Sequence, residues 1–210
     1  MRFQTIFFDL DETLYPKSSG LWAAIGGRIN LYLHERMGFP LEKIESLRDG
    51  YFREYGTTLR GLQANYPVDM EDYLAFVHNV PLEHHLHPDP ELRRVIEVLP
   101  GRKYIFTNAD CLHANRVLET LGLQGLFEGI LDVHTVAPYC KPMPESFELA
   151  LAAAGSPDPH ICALIDDQAR VTRIARNMGI FSILVGGQPD SQDADAVLVN
   201  WSEFPGLLAE

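Results

Sequence analysis

The sequence predicts an α/β protein in which a parallel sheet is covered on both faces by helices, with an all-helical segment inserted after the first strand. Three observations carry this expectation. Short β-branched and aromatic runs recur through the C-terminal half and alternate there with segments of helical spacing. One further run of this kind stands apart at the N-terminus, at residues 5–8. The long stretch between holds amphipathic patterns and no convincing strand.

Taken in order, residues 5–8 (TIFF) lead straight into Asp9, which reads as a buried parallel strand with a reactive end. Runs at 103–107, 129–133, 161–165, 181–185 and 196–199 have strand length and composition, and five of the six strands are expected to be central. Helical spacing covers 110–121, 145–154 and 170–178, with Gly122 and Gly179 at the expected C-caps of the first and last. Such alternation places a ligand crevice at the carboxyl ends of the strands. In the insert, helices are expected at 21–36, 41–55 and 70–79, and Arg60 reads as part of a turn flanked by Gly56 and Gly61. Pro81, Pro88, Pro90 and Pro100 punctuate the return to the sheet. The expected division is a core of residues 1–14 and 99–210 and a helical insert of residues 15–98.

A chain of 210 residues with an apolar fraction of 46% can bury one sizeable core and an accessory unit. Its formal net charge of −12 opposes wrapping a polynucleotide, which needs phosphates neutralised by Lys and Arg. A small anionic partner remains compatible where basic groups gather locally. Cys111, Cys140 and Cys162 are odd in number and widely spaced, which argues against a disulfide framework and a zinc knuckle and fits a reducing cytoplasm. Asp9 interrupts the N-terminal apolar run, so no signal peptide is expected. No run approaches the ~18–20 apolar residues of a membrane span. Monomer and homodimer stay equally open.

The chemistry gathers at strand ends. Asp9 and Asp11 follow the first strand, and Asp166 and Asp167 follow the 161–165 run in the same topological position. Four carboxylates at neighbouring strand ends raise one another's pKa values unless a hard divalent cation neutralises them, and Mg²⁺ suits oxygen ligands and phosphates. Thr107 and Asn108 end another strand where a helix opens, a place for an anion or simply an N-cap. Lys141, followed by Pro142, is positioned to offset the acidic cluster and bind a phosphoryl oxygen. Asp167 equally reads as a helix cap. His84, His85 and His87 lack a Cys or carboxylate at metal-site spacing and read as a solvated linker, and Trp22 and Trp201 read as packing residues.

In order and spacing, Asp9-x-Asp11-x-Thr13, Thr107-Asn108, Lys141-Pro142 and Asp166-Asp167 resemble the haloacid dehalogenase superfamily of phosphohydrolases. The resemblance implies a Rossmann-like core, a helical C1 cap, Mg²⁺ as cofactor and an aspartyl-phosphate formed on Asp9. It implies Asp11 as general acid and base, metal ligation by Asp9, the Asp11 backbone carbonyl, Asp167 and Asp166 directly or through water, and phosphoryl contacts from Thr107, Asn108 and Lys141. Residues 7–16 with Gly20, residues 55–62, and residues 106–109 with His113 resemble the pyrimidine 5′-nucleotidase branch. That likeness implies a nucleoside monophosphate such as UMP or CMP as partner, with Tyr15, Arg60 and His113 as candidate substrate contacts. A sugar-phosphate phosphatase and an activity-reduced regulatory protein are the alternatives. Gln168 and Val171 depart from the branch, which has Ser and Asn at these positions, and the lost Asn would brace the metal site.

Overall fold

The computed structural model describes residues 3–188 and 190–208. Strands β1 (Thr5–Phe8), β2 (Arg102–Phe106), β3 (Gly129–Leu131), β4 (Cys162–Asp166), β5 (Phe181–Val185) and β6 (Ala196–Leu198) form one parallel sheet in the order β3-β2-β1-β4-β5-β6. The sheet is open, so β3 and β6 are edges and four strands are central, one fewer than expected. β1 runs between β2 and β4, with Phe8 in register with both Ile105 and Ile165. The carboxyl ends of three strands from distant parts of the sequence therefore meet at one point, the switch point of a doubly wound sheet.

Helices α1 (Leu21–Leu31), α2 (Leu41–Tyr55), α3 (Thr58–Asn65) and α4 (Met70–Val77) follow β1, and α5 (Pro90–Val98) precedes β2. Helices α6 (Cys111–Leu121), α7 (Pro144–Ala153), α8 (Ala169–Asn177) and α9 (Phe204–Leu207) accompany the later strands. Alternation along β1 sends Phe7 to one face and Phe8 to the other, and both are buried because both faces carry helices and loops. Phe7 joins Phe106, Phe147, Leu164 and Val171 in one cluster. Phe8 meets Phe127, Phe204 and Trp201. Burying each such ring stabilises the sheet by ~1.5–3 kcal/mol, which fixes the strand that carries Asp9. Among the described residues no helix is long and apolar enough to cross a membrane.

The chain divides into two compact units: Lys17–His85, and Met1–Pro16 with Leu86–Glu210. The insert thus ends earlier than residue 98, and α5 belongs to the sheet unit. Its apolar stripe, Leu92 and Ile96, is buried. The Asp89 N–H donates to Leu121 O at 3.0 Å, and Arg93 Nη1 donates to Gly122 O at 2.6 Å. This helix was not expected from the sequence, where Pro90 read as punctuation although it occupies the first turn, a position that proline tolerates.

Within the helical unit, α1 runs into a π-helical turn at Tyr32–Arg36. There the Tyr32 hydroxyl donates to Asp72 at 3.0 Å and its ring packs edgewise on Tyr73 and Phe76. The turn expected around Arg60 is instead helix α3, opened by Thr57, whose Oγ1 accepts the Arg60 N–H at 3.2 Å. Gly61 reflects close packing: a Cβ there would fall 2.2 Å from Cγ of Tyr51 on α2. Trp22, expected to pack, is 40% exposed, whereas Trp201 stacks on Phe8 as expected. His85 Nδ1 lies 3.1 Å from Ser19 O within this unit.

Candidate active site

Past β1 the chain stays paired for one more residue, the Asp9 N–H donating to Ile165 O at 2.9 Å, and then turns sharply. Leu14 N–H closes the turn on Leu10 O at 3.0 Å, and Glu12 takes φ 61°, the left-handed region that disfavours residues with a Cβ. The turn returns Thr13 to Asp9, where its Oγ1 donates to Asp9 Oδ2 at 2.8 Å. Thr13 was not among the expected site residues. Its four-residue offset from Asp9, inside one turn, is the signal that marks it.

Lys141 comes from the long connection between β3 and α7 and is 2% exposed. Its Nζ donates to Asp9 Oδ1 and to Asp166 Oδ2, both at 2.7 Å, and lies 5.1 Å from the centroid of Phe106. Burial opposes the lysine's charge, yet the attraction and hydrogen bonds of Asp166 and Asp9 hold its pKa above the ordinary lysine range. Burial pushes the Asp166 carboxyl up to about 7 and raises that of Asp9, with the ammonium pulling each back and neighbouring carboxylates adding to the rise. One ammonium cannot neutralise the group. Oxygens of Asp9, Asp166 and Asp167 can all come within 4.8 Å of one another, a hard-donor set that fits a divalent cation such as Mg²⁺.

Asn108 takes a place the sequence did not suggest. Its Oδ1 accepts the Lys141 N–H at 2.8 Å and its Nδ2 donates to Lys141 O at 3.0 Å, so its side chain holds the backbone of the lysine. Thr107 is buried, and its Oγ1 accepts the Ala109 N–H at 3.0 Å, shaping the turn after β2. Asp166 is fully buried and accepts the Gln168 N–H on Oδ1 at 2.9 Å, in addition to Lys141 on Oδ2.

Two expected substrate contacts converge on Asp11. The Tyr15 hydroxyl donates to Asp11 Oδ1 at 2.7 Å, and His113 Nε2 lies 3.0 Å from the same oxygen. Arg60 belongs to the helical unit, where it is buried and its Nη1 donates to Gln63 Oε1 at 2.7 Å. Val171, where an Asn was expected to brace the carboxylates, packs into the hydrophobic cluster instead. Gln168 Oε1 accepts from Arg170 Nε at 3.0 Å.

This arrangement sits among known proteins as follows. Residues 3–179 match the family model of haloacid dehalogenase-like hydrolases. Phosphate metabolism protein 8 of Saccharomyces cerevisiae is 31% identical over 195 residues, an alignment covering 86% of this chain. The chain spans 61% of the length of that curated relative. The HAD-hydrolase YfnB of Bacillus subtilis, solved bound to magnesium, superposes with a TM-score of 0.63 at 18% identity, covering all of both chains. A predicted phosphoglycolate phosphatase from Haemophilus somnus gives 0.65 at 17% identity, over 99% of this chain and 98% of that one. At these identities the two structures speak to the fold.

Proposed function

We propose that this chain, which belongs to the haloacid dehalogenase-like hydrolase family, is a Mg²⁺-dependent phosphomonoester hydrolase acting on small phosphorylated metabolites through an aspartyl-phosphate on Asp9. One observation carries the reading: a second carboxylate, Asp11, stands two residues beyond the nucleophile with its Oδ1 held by Tyr15 and His113. A departing alkoxide needs a proton and a departing halide does not, so a fixed acid beside the nucleophile suits ester hydrolysis and not dehalogenation.

In the first half-reaction a carboxylate oxygen of Asp9 bonds to phosphorus as the ester P–O bond breaks, and the proton on Asp11 passes to the leaving oxygen. In the second, water attacks the same phosphorus and gives its proton to Asp11. The acyl-phosphate P–O bond then breaks, and phosphate leaves with both carboxyl groups restored. Lys141, steadied by Asn108 and Asp166, faces the phosphoryl oxygens together with Thr107. Asp9, Asp167 and the Asp11 backbone carbonyl would hold Mg²⁺, with Asp166 directly or through water. When bound, the ion neutralises charge on the carboxylates and the phosphoryl group.

The finer part of the proposal is a pyrimidine nucleoside 5′-monophosphate as substrate, supported by the likeness of residues 7–16 with Gly20, residues 55–62, and residues 106–109 with His113 to that branch. The helical unit is read as a C1 cap that contributes specificity, with Arg60 its candidate contact. A cytoplasmic setting is part of the same reading, supported by three cysteines that form no disulfide among the described residues. The test is phosphate release with Mg²⁺ from UMP and CMP against purine monophosphates and sugar phosphates, with Asp9→Asn as control. Preference for UMP or CMP supports the full reading, and a strong preference for sugar phosphates overturns the nucleotidase part. A nucleotide that binds while no ester is turned over rejects the enzymatic reading in favour of a regulatory one.

A further inference from the structure

A carboxyl group that shuttles a proton works only when it is held in place beside the leaving group. In this chain two buried side chains meet Asp11 at one oxygen. Oδ1 accepts the Tyr15 hydroxyl at 2.7 Å and has His113 Nε2 at 3.0 Å. When Asp11 is ionised it can only accept, and Nε2 then donates to it. Neither donor is loosely placed. The His113 side chain is wholly inaccessible, and its backbone N–H is taken by the Asp110 carboxylate at 2.8 Å in the first turn of α6. Tyr15 is 3% exposed, lies four residues beyond Asp11 and directly precedes Pro16, the last residue before the helical unit.

We propose that Tyr15 and His113 are positioning residues that hold the Asp11 carboxyl at Oδ1 and stabilise the anion it becomes when it gives up the catalytic proton. The inference rests on the phosphatase reading and names how its general acid is aimed. In the first step the O–H bond of Asp11 breaks, the proton moves to the ester oxygen, and the electron pair stays on Asp11 as a carboxylate. The same two donors then bind a full negative charge, so their bonds strengthen as the proton leaves. They stabilise the transition state more than the ground state, and they do so only to the extent that the leaving group demands a proton.

That last dependence supplies a readout which a merely structural role would not move. Tyr15→Phe keeps the ring and removes one donor. His113→Leu removes the other while filling most of the buried space, and circular dichroism with thermal melting selects variants that fold. For each, kcat/KM is measured with UMP, an alkyl phosphate with a poor leaving group, and with p-nitrophenyl phosphate, whose leaving group departs without acid assistance. Because kcat/KM reports events up to the first irreversible step, it isolates phosphoryl transfer to Asp9. Each folded variant is expected to lose about 10-fold or more on UMP and no more than about 3-fold on the aryl ester. An equal loss on both esters, or no loss on either, overturns the assignment of that residue. A wild-type chain that hydrolyses neither ester removes the phosphatase reading itself, and this inference with it.

Discussion

Asn108 grips Lys141 by its backbone from both sides, accepting the N–H on Oδ1 at 2.8 Å and donating from Nδ2 to the carbonyl at 3.0 Å. Through that pair of bonds the turn after β2 sets where the ammonium of a residue from the β3–α7 connection stands. Asn108→Ala is expected to lower kcat for phosphate esters by about 10- to 100-fold, by analogy with other groups that orient a catalytic side chain. Steady-state kinetics on a variant whose melting shows it folded will check this. Unchanged kcat would mean that the loop holds Lys141 without Asn108.

Lys141 also has a structural duty. It is the ion-pair partner of two carboxylates, Asp9 and Asp166, that are 7% and 0% exposed. Lys141→Met removes the ammonium and leaves both buried anions uncompensated, and breaking a buried pair in this way costs about 3–5 kcal/mol. Adding Asp166→Asn to Lys141→Met should recover part of the loss by removing one stranded charge. Urea unfolding of the single and double variants measures both quantities, and a double variant less stable than Lys141→Met would contradict the account.

The buried carboxylates make stability depend on pH in a definite direction. Asp166 is raised to about 7 from the ordinary 3.8, chiefly by burial, and Asp9 is raised for the same reason. In the metal-free chain the folded state therefore binds more protons than the unfolded state between these values. This contribution is fully present below 3.8 and is lost as pH rises through about 7. A divalent cation replaces the missing protons, so the rise in Tm produced by Mg²⁺ over EDTA should be larger at about pH 8 than at about pH 6. A shift that is equal at both pH values, or larger at the lower one, would contradict the placement of the ion among these carboxylates.

Much of this was legible in the sequence, and the parts that were not share a cause. β1 and β5 fall where composition placed them, because a strand buried on both faces must be an unbroken apolar run. Asp9, Lys141 and Asp166 meet because parallel order brings strand ends together, which alternation of strands and helices already implies. Side-chain partnership was less visible. Tyr15, His113 and Asn108 are residue types that contact substrates as readily as they hold catalytic groups, and only their distances to Asp11 and Lys141 separate the two. Strand β4 begins one residue late because Asp158 caps a 3-10 turn that takes in Ile161.

Helix α3 shows the same difficulty in the helical unit. The run Gly56-Thr57-Thr58-Leu59-Arg60-Gly61 reads as a turn by its glycines, yet Gly61 is there for contact with Tyr51 and not for a positive φ. Gly61→Ala would drive a methyl group into that ring, and overpacking of this kind costs about 1–3 kcal/mol. Thermal unfolding should show a clear loss of stability. A variant as stable as the parent would mean that α2 and α3 leave room for a methyl group at Gly61.

In the proposed mechanism Asp9 carries the phosphoryl group. This is tested most directly by acid-quenching the chain during turnover of UMP with Mg²⁺ and mapping the peptide that contains Asp9 by mass spectrometry. This peptide is expected to gain the mass of one phosphoryl group in the wild type, and Asp9→Asn is expected to show neither the gain nor phosphate release. Sustained phosphate release by Asp9→Asn, without any phosphorylated peptide in the wild type, would contradict it.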